Sequence, residues 1–215
     1  VDRTHLDRVA AFVDRLDPML VSGHLAWSTH RGIYLNDLLP LPYTDETLAI
    51  VSDHLAEVQD RLGRPYLVEN PSTYVGFAHS TMTETEFLSA LVSRTGCRLV
   101  CDVSNIVLSG HNMGFDAFAY LAALPVDAVG ELHLGGFTLE EDEATPGGTL
   151  LVDTHAAQVD DTVWPLYAEA VRRFPVAPTL IEWDNDLPDL ATLVAEASRA
   201  DHVRMHALEV SHADC

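Results

Sequence analysis

Histidines and carboxylates recur in this chain at one kind of place, the end of a short apolar run. His24 lies near the end of Met19 to Trp27, Glu69 ends Pro65 to Asn70, and Asp102 ends Arg98 to Val103. His133 ends Val129 to Leu134, and Glu182 ends Thr179 to Trp183. Asp153 and His155 add a D-x-H pair whose side chains share one side if residues 150–155 are extended. A single acid at a strand end is more often a helix N-cap or turn former than a ligand, and a lone histidine is more often merely hydrogen-bonded. Three imidazoles and four carboxylates able to meet on one rim are harder to explain that way. Crowded carboxylates repel unless positive charge lies among them, so a site for more than one metal ion is the economical reading. Imidazole and carboxylate without thiolate suit iron, manganese or zinc, and a bridging carboxylate such as Glu69 or Glu182 would hold two ions close together.

The five runs read as strands, and segments with helical spacing separate them. Leu48, Val51, Leu55, Val58 and Leu62 form one apolar stripe; Phe87, Leu88, Leu91 and Val92 a second; Leu187, Leu190, Leu193, Val194 and Ala197 a third. Val1 to Leu16 reads as a leading helix with Leu6, Val9, Val13 and Leu16 on one face. Thr83-Glu84-Thr85-Glu86 predicts a capping box, and Gly63 and Gly96 stand where helices end. Alternating strands and helices imply an α/β protein with parallel strands, either an open doubly wound sheet or a barrel. In both, active sites are built at the carboxyl ends of the strands. Neither G-x-G-x-x-G nor the phosphate-binding G-x-x-x-x-G-K-[ST] follows a strand, which disfavours a nucleotide fold. Gly32 to Thr44 and Gly135 to Thr149 read as loops, the second with an acidic run from Glu140 to Glu143 and the turn Pro146-Gly147-Gly148. No linker divides the chain, so one domain is expected over residues 1–200, followed by a tail, 201–215.

Charge narrows the partners. With 12 Lys+Arg against 33 Asp+Glu in 215 residues, the formal net charge is -21, which opposes binding to nucleic acid. No long apolar stretch and no signal-peptide pattern is present, so a cytoplasmic protein without a membrane partner is expected. Three cysteines without C-x-x-C spacing suit a reducing compartment. Cys97 and Cys101 should face the covering helices as small hydrophobes, and Cys215 should be free. His5, His54, His79, His202, His206 and His212 read as solvated; His30 and His111 stay open, the latter between a ligand and a turn residue. Trp27, Trp164 and Trp183 fit the core better than a pocket wall.

Seven segments in order carry a resemblance: Ser22-Gly23-His24-Leu25-Ala26-Trp27, Asn36-Asp37-Leu38-Leu39-Pro40-Leu41-Pro42-Tyr43, Leu67-Val68-Glu69-Asn70-Pro71-Ser72, Asp102-Val103-Ser104-Asn105, Glu131-Leu132-His133-Leu134-Gly135-Gly136, Val152-Asp153-Thr154-His155 and Leu180-Ile181-Glu182-Trp183-Asp184. Together they resemble the multinuclear non-haem iron-dependent oxidases, the family that contains the methanobactin-biosynthesis oxidase subunit. The resemblance implies a xylose-isomerase-like TIM barrel holding two or three irons, Fe2+ and Fe3+, with dioxygen as co-substrate. It implies oxidation of residues, commonly cysteine, in a ribosomally made precursor peptide, often with a small recognition protein as partner. By motif, His24, Glu69, Asp102, His133, Asp153, His155 and Glu182 match ligand positions, while Asn70 and Asn105 match polar neighbours of the metals. Glu69 and Glu182 would bridge, His24 would serve one iron, and Asp153 with His155 another. Ser104, Gly23, Met113 and Phe137 stand where the family often has Asn, an acid, His and His. The resemblance also implies three further strands, one with an L-H-G histidine, ahead of the five units read here, so that the chain holds the last five βα units of eight.

Two other readings fit parts of the pattern. A divalent-metal barrel enzyme could isomerise a sugar or hydrolyse a phosphoester, but the chain has no lysine to serve a sugar isomerase, and its charge opposes an anionic substrate. A non-catalytic truncated or binding subunit is the third reading.

Overall fold

In the computed structural model, residues 1–142, 145 and 147–213 are described, with side chains to Glu209. Cys215, Glu143 and Pro146 lie outside the described residues, as does the side chain of His212. The elements in order are α1 (Arg3–Leu16), β1 (Ser22–His24), β2 (Trp27–His30), β3 (Ile33–Leu39), α2 (Asp45–Leu62), β4 (Leu67–Glu69), α3 (Glu84–Thr95), β5 (Arg98–Asp102), α4 (Val103–Met113) and α5 (Ala117–Ala123). They continue with β6 (Val129–Gly135), β7 (Phe137–Glu141), β8 (Thr149–Asp153), α6 (Val163–Arg173), β9 (Thr179–Glu182) and α7 (Leu190–Ala213).

The five expected strands form one parallel sheet in the order β1-β4-β5-β6-β9. Leu67, Val68, Leu99, Val100, Cys101 and Leu132 are buried, as the near-continuous apolar runs of a covered parallel sheet require. Cys97 and Cys101 sit in the same core beside Phe87, Leu88 and Leu91 of α3, and burial raises both thiols. Each large side chain buried in this way contributes about 1.5–3 kcal/mol. Local signals set the helix ends. Thr44 caps α2, Thr83 and Glu86 form the capping box of α3, and Gly63 and Gly96 close the two helices in left-handed conformations at φ 64° and 67°.

Several boundaries differ from the sequence reading. Met19 to Trp27 is not one strand: β1 stops at His24, and Trp27 begins an antiparallel ribbon, β2–β3. The region from Gly32 to Thr44 is therefore mostly strand β3 and not a loop. Arg31 and Gly32, both at positive φ, make the two-residue connection that favours such a hairpin. The second expected loop, Gly135 to Thr149, holds β7 and the start of β8, which pair from Phe137↔Asp153 to Glu141↔Thr149. Asp153 and His155 are not on one extended run either, because the strand ends at Asp153 and His155 adopts φ 47°. His111 and Asn112 lie in the last turn of α4 and not in a loop. That helix begins directly after β5 and buries Val103, Ile106 and Leu108 together with Ser104, Asn105 and Ser109, so no clean amphipathic stripe marks it. Helix α7 runs across residue 200 and carries residues 201–213 in the same element.

Candidate metal centre

Parallel register brings the strand ends together. His24 pairs with Glu69 across β1 and β4, Asp102 with His133 across β5 and β6, and Gly135 with Glu182 across β6 and β9. One ligand atom from each of Glu69, Asp102, His133 and Glu182 lies within 4.8 Å of the others. His133 is the hub: its Nδ1 is 3.2 Å from Glu69 Oε1 and 3.2 Å from Glu182 Oε1, and its Nε2 is 3.7 Å from Glu131 Oε2. His24 Nε2 stands 3.5 Å from the other Glu69 oxygen.

A second group adjoins the first through Glu182, whose Oε2 is 3.7 Å from His155 Nδ1. His155 Nε2 approaches Asp153 Oδ1 at 2.8 Å without hydrogen-bonding geometry, and its Nδ1 is 3.1 Å from Asp184 Oδ2. Asp153 is fixed from two sides: its N–H donates to the Tyr74 hydroxyl at 2.9 Å, and Ser72 Oγ donates to its Oδ2 at 3.3 Å. A Cβ on Gly135 would stand 2.8 Å from the His155 ring, so the absence of a side chain there leaves the imidazole its place.

Asp102 does two jobs. Its Oδ1 caps α4 by accepting from the Asn105 N–H at 2.7 Å, while its Oδ2 is buried with no hydrogen-bond partner. Asn70 uses its amide on the Asp102 backbone in both directions, and Asn105 Nδ2 donates to the Asn70 carbonyl at 3.1 Å, leaving Asn105 Oδ1 buried and unpartnered. Ser104 Oγ accepts from the Gly135 N–H, tying α4 to the end of β6.

The electrostatics favour a cation. Burial, then the charge of Glu69, raises the Asp102 carboxyl well above its ordinary range. Burial opposes a charged His133, but Glu131, Glu182 and Glu69 outweigh it and push the imidazole up to about 12. Asp153 leads in raising His155 to about 10. Burial works to raise Glu182, yet His133, His155 and His24 hold it below its ordinary value. Among the described residues, the ion pairs of Glu69, Asp153 and Glu182 are all with imidazoles, with no Lys or Arg. Asp102 Oδ2 and His133 Nε2, both buried without a hydrogen bond, lie within a thiolate-free donor set and fit metal ions of the iron, manganese and zinc type.

All seven predicted ligand positions lie in this connected array. Glu131 and Asp184 belong to it as well, beyond the positions that the sequence reading names. The period-2 spacing of Glu131 and His133, and of Glu182 and Asp184, is the signal that could have found them. The histidine left open, His111, lies outside it: its Nε2 is 3.1 Å from Thr149 Oγ1. His30 packs against Trp27, and Trp27 donates to the Pro40 carbonyl. Trp164 is core, with Arg199 over its ring at 4.4 Å.

The parallel sheet with its candidate metal centre at the strand carboxyl ends has the fold of the xylose-isomerase-like TIM barrels. The same fold occurs in a xylose isomerase-like TIM barrel protein from Mycobacterium smegmatis solved in complex with magnesium, at TM-score 0.58 and 12% identity, covering 94% of this chain and 66% of that one. It occurs again in an L-ribulose 3-epimerase, at TM-score 0.57 and 14% identity, covering 98% of this chain and 68% of that one. The chain belongs to the RiPP precursor modification enzyme MbnB/TglH/ChrH family, whose profile matches residues 1–205, as the resemblance to the multinuclear iron oxidases implied. A UPF0276 protein of Paraburkholderia phytofirmans is 50% identical over 218 residues, 99% of this chain and 70% of its own length. One of Rhizobium meliloti is 49% identical over 200 residues, 93% of this chain and 64% of its own length. The chain thus spans about two thirds of these relatives. No helix among the described residues is long and apolar enough to cross a membrane.

Proposed function

We propose that this protein is a multinuclear non-haem iron oxidase that uses dioxygen to modify cysteine residues of a ribosomally synthesised precursor peptide. The observation that carries the reading is the convergence of Glu69, Asp102, His133 and Glu182 on one spot, with Asp102 Oδ2 and His133 Nε2 buried and not hydrogen-bonded. Family membership supplies the peptide substrate class; the imidazole and carboxylate donors are compatible with iron, and the resemblance to the multinuclear iron oxidases selects it over manganese and zinc. Glu69 and Glu182 each reach two histidines with their two oxygens and so suit bridging. His24 would complete one ion's surroundings, and Asp153 with His155 another's. Bound iron would supply the redox chemistry with dioxygen.

The chain's own residues divide the remaining work. Asn70 and Asn105 hold Asp102 in place and do so through backbone contacts. Asp102 forms the sealed floor, whereas His24 and Asp184 are the exposed members, so a peptide would approach from their side. The two antiparallel ribbons, β2–β3 and β7–β8, extend from that rim and would meet the peptide or a small recognition partner. A cytoplasmic setting suits the unpaired Cys97 and Cys101.

The test is anaerobic loading with ferrous iron, followed by a cysteine-bearing precursor peptide and air. Oxygen uptake together with a mass change on the peptide is expected. An iron-loaded protein that consumes no oxygen with any such peptide would reject the reading.

A further inference from the structure

Away from the metal centre, a cavity of about 430 Å³ lies between the segment after β3, the turn after β4, the first turn of α3 and the start of α5. Tyr43, Phe77, Phe115 and Tyr120 give it aromatic walls, Glu84 is set among them, and no Lys, Arg or His lines it. The walls are built in advance. Tyr43 accepts the Thr81 and Met82 N–H groups on its carbonyl and donates its own N–H to Ser80 Oγ, its ring packs on Phe87 at 5.1 Å, and Phe115 stacks on Tyr120 at 5.4 Å.

The polar groups in this apolar setting are the anomaly. Among the described residues, Glu84 Oε1 and the Tyr120 hydroxyl are sealed from solvent and neither makes a well-formed hydrogen bond, the Tyr43 and Tyr120 hydroxyls being the polar groups that approach the carboxyl. Buried polar atoms are nearly always paired, and leaving one unpaired costs about 1–3 kcal/mol. Burial pushes the Glu84 carboxyl up to about 7, against the nearby Tyr120 and Tyr43 hydroxyls. A purely apolar occupant would leave Glu84 no partner beyond the two tyrosine hydroxyls. An anion would meet Glu84 and, at the edge, Asp116, with no cation to receive it. A cation with N–H donors pairs with the carboxylate and lies against aromatic faces, an attraction that strengthens when water is excluded.

We propose that this cavity binds an organic cation with an apolar body, its ammonium or guanidinium group against Glu84 and its hydrocarbon against Tyr43, Phe77, Phe115 and Tyr120. The net charge of -21 adds a long-range attraction for such a ligand. The cavity also adjoins the metal centre through the backbone, since Thr73 and Phe77 lie on the segment that leaves β4 just after Glu69. Asn112 joins the two regions from the other side: it exchanges hydrogen bonds with the Leu151 backbone of β8 and donates to the Thr73 carbonyl.

The test uses three probes sharing one body: phenethylammonium, 2-phenylethanol and 3-phenylpropionate, titrated calorimetrically at about pH 8, above the Glu84 titration. The unmodified protein should bind the ammonium at least about tenfold more tightly than the alcohol and should not bind the carboxylate. Glu84→Gln should remove that preference while keeping the alcohol, and Glu182→Gln should leave it intact, which separates this cavity from the metal centre. Equal affinity for ammonium and alcohol in the unmodified protein, binding of none of the three, or loss of the preference in Glu182→Gln would overturn the proposal. The comparison on the unmodified protein decides the matter even if Glu84→Gln fails to fold, and it is independent of iron or oxidase activity.

Discussion

Asn70 and Asp102 exchange a matched pair of hydrogen bonds: Asn70 Nδ2 donates to the Asp102 carbonyl and the Asp102 N–H donates to Asn70 Oδ1, each at 2.9 Å. Both residues are buried, so the pair ties the end of β5 to the residue after β4 and helps hold the Asp102 and Glu69 ligand atoms within 4.8 Å of each other. Asn70→Ala would orphan a buried donor and a buried acceptor. It should cost roughly 2–4 kcal/mol in denaturant unfolding and reduce metal retention. Asn70→Asp keeps the acceptor but sets a carboxylate oxygen against a carbonyl, so it should not rescue. Unfolding of both variants at the unmodified midpoint would contradict this role.

Gly135 and His155 should be coupled. Gly135→Ala sets a methyl group 2.8 Å from the present ring position and must displace the imidazole. The expected result is a loss of metal affinity of about tenfold or more from that single methyl. In a His155→Ala background the same change should have little further effect, the non-additivity expected of residues in contact. Additive losses in the double-mutant cycle would show that Gly135 acts elsewhere.

Metal loading should release protons. Without metal, the surrounding carboxylates keep His133 protonated up to about 12 and His155 up to about 10. Ligation needs neutral imidazole and ionised carboxylate, so loading at neutral pH should liberate at least about two protons, with the raised Asp102 carboxyl adding to them, read by calorimetry in buffers of different ionisation enthalpy. The linkage sign follows from the raised values. Their stabilisation of the metal-free fold is complete below the ordinary histidine value of 6.5 and fades as pH rises through about 10 and 12. Metal affinity should move the opposite way. Buffer-independent binding heats would contradict the ligand set.

Glu84 gives an opposite kind of titration for a carboxyl group. Burial raises it from 4.5 to about 7, so the folded state prefers its protonated form. Stability from this preference is present below 4.5 and declines as pH rises to about 7, by up to about 3 kcal/mol. The difference in urea stability between about pH 5 and about pH 8 should be smaller in Glu84→Gln by a similar amount. An identical pH dependence in both proteins would show that Glu84 is solvated.

Much of this organisation is legible in the amino-acid sequence because a buried parallel strand leaves a near-continuous apolar run: β4 and β5 are runs of that kind, β6 is broken only by Glu131 and His133, and β9 is a short apolar run with Leu180 exposed. The ligand positions follow from them, since residues at strand ends share one face. Composition hides the ribbons. Leucines and prolines between Gly32 and Thr44 mask a strand whose partner, Trp27–His30, begins at the residue where the first apolar run ends. Burial on several sides hides helix α4, and with it the role of Asn112, whose two backbone bonds to Leu151 join elements far apart in sequence. His155 reaches Asp153 through a left-handed backbone conformation that no spacing rule anticipates. Glu131 and Asp184 stand two residues from His133 and Glu182, a spacing that points to the same face of each strand.

The most direct measurement of the central claim is metal content per chain in Glu69→Ala, Glu182→Ala and Cys97→Ala beside the unmodified protein. Glu69 and Glu182 each contact two histidines, whereas Cys97 is packed in the apolar core away from the carboxylates. The account predicts that the unmodified protein and Cys97→Ala hold about two or three irons, and that each glutamate variant loses more than one. Equal iron in all four proteins would contradict it.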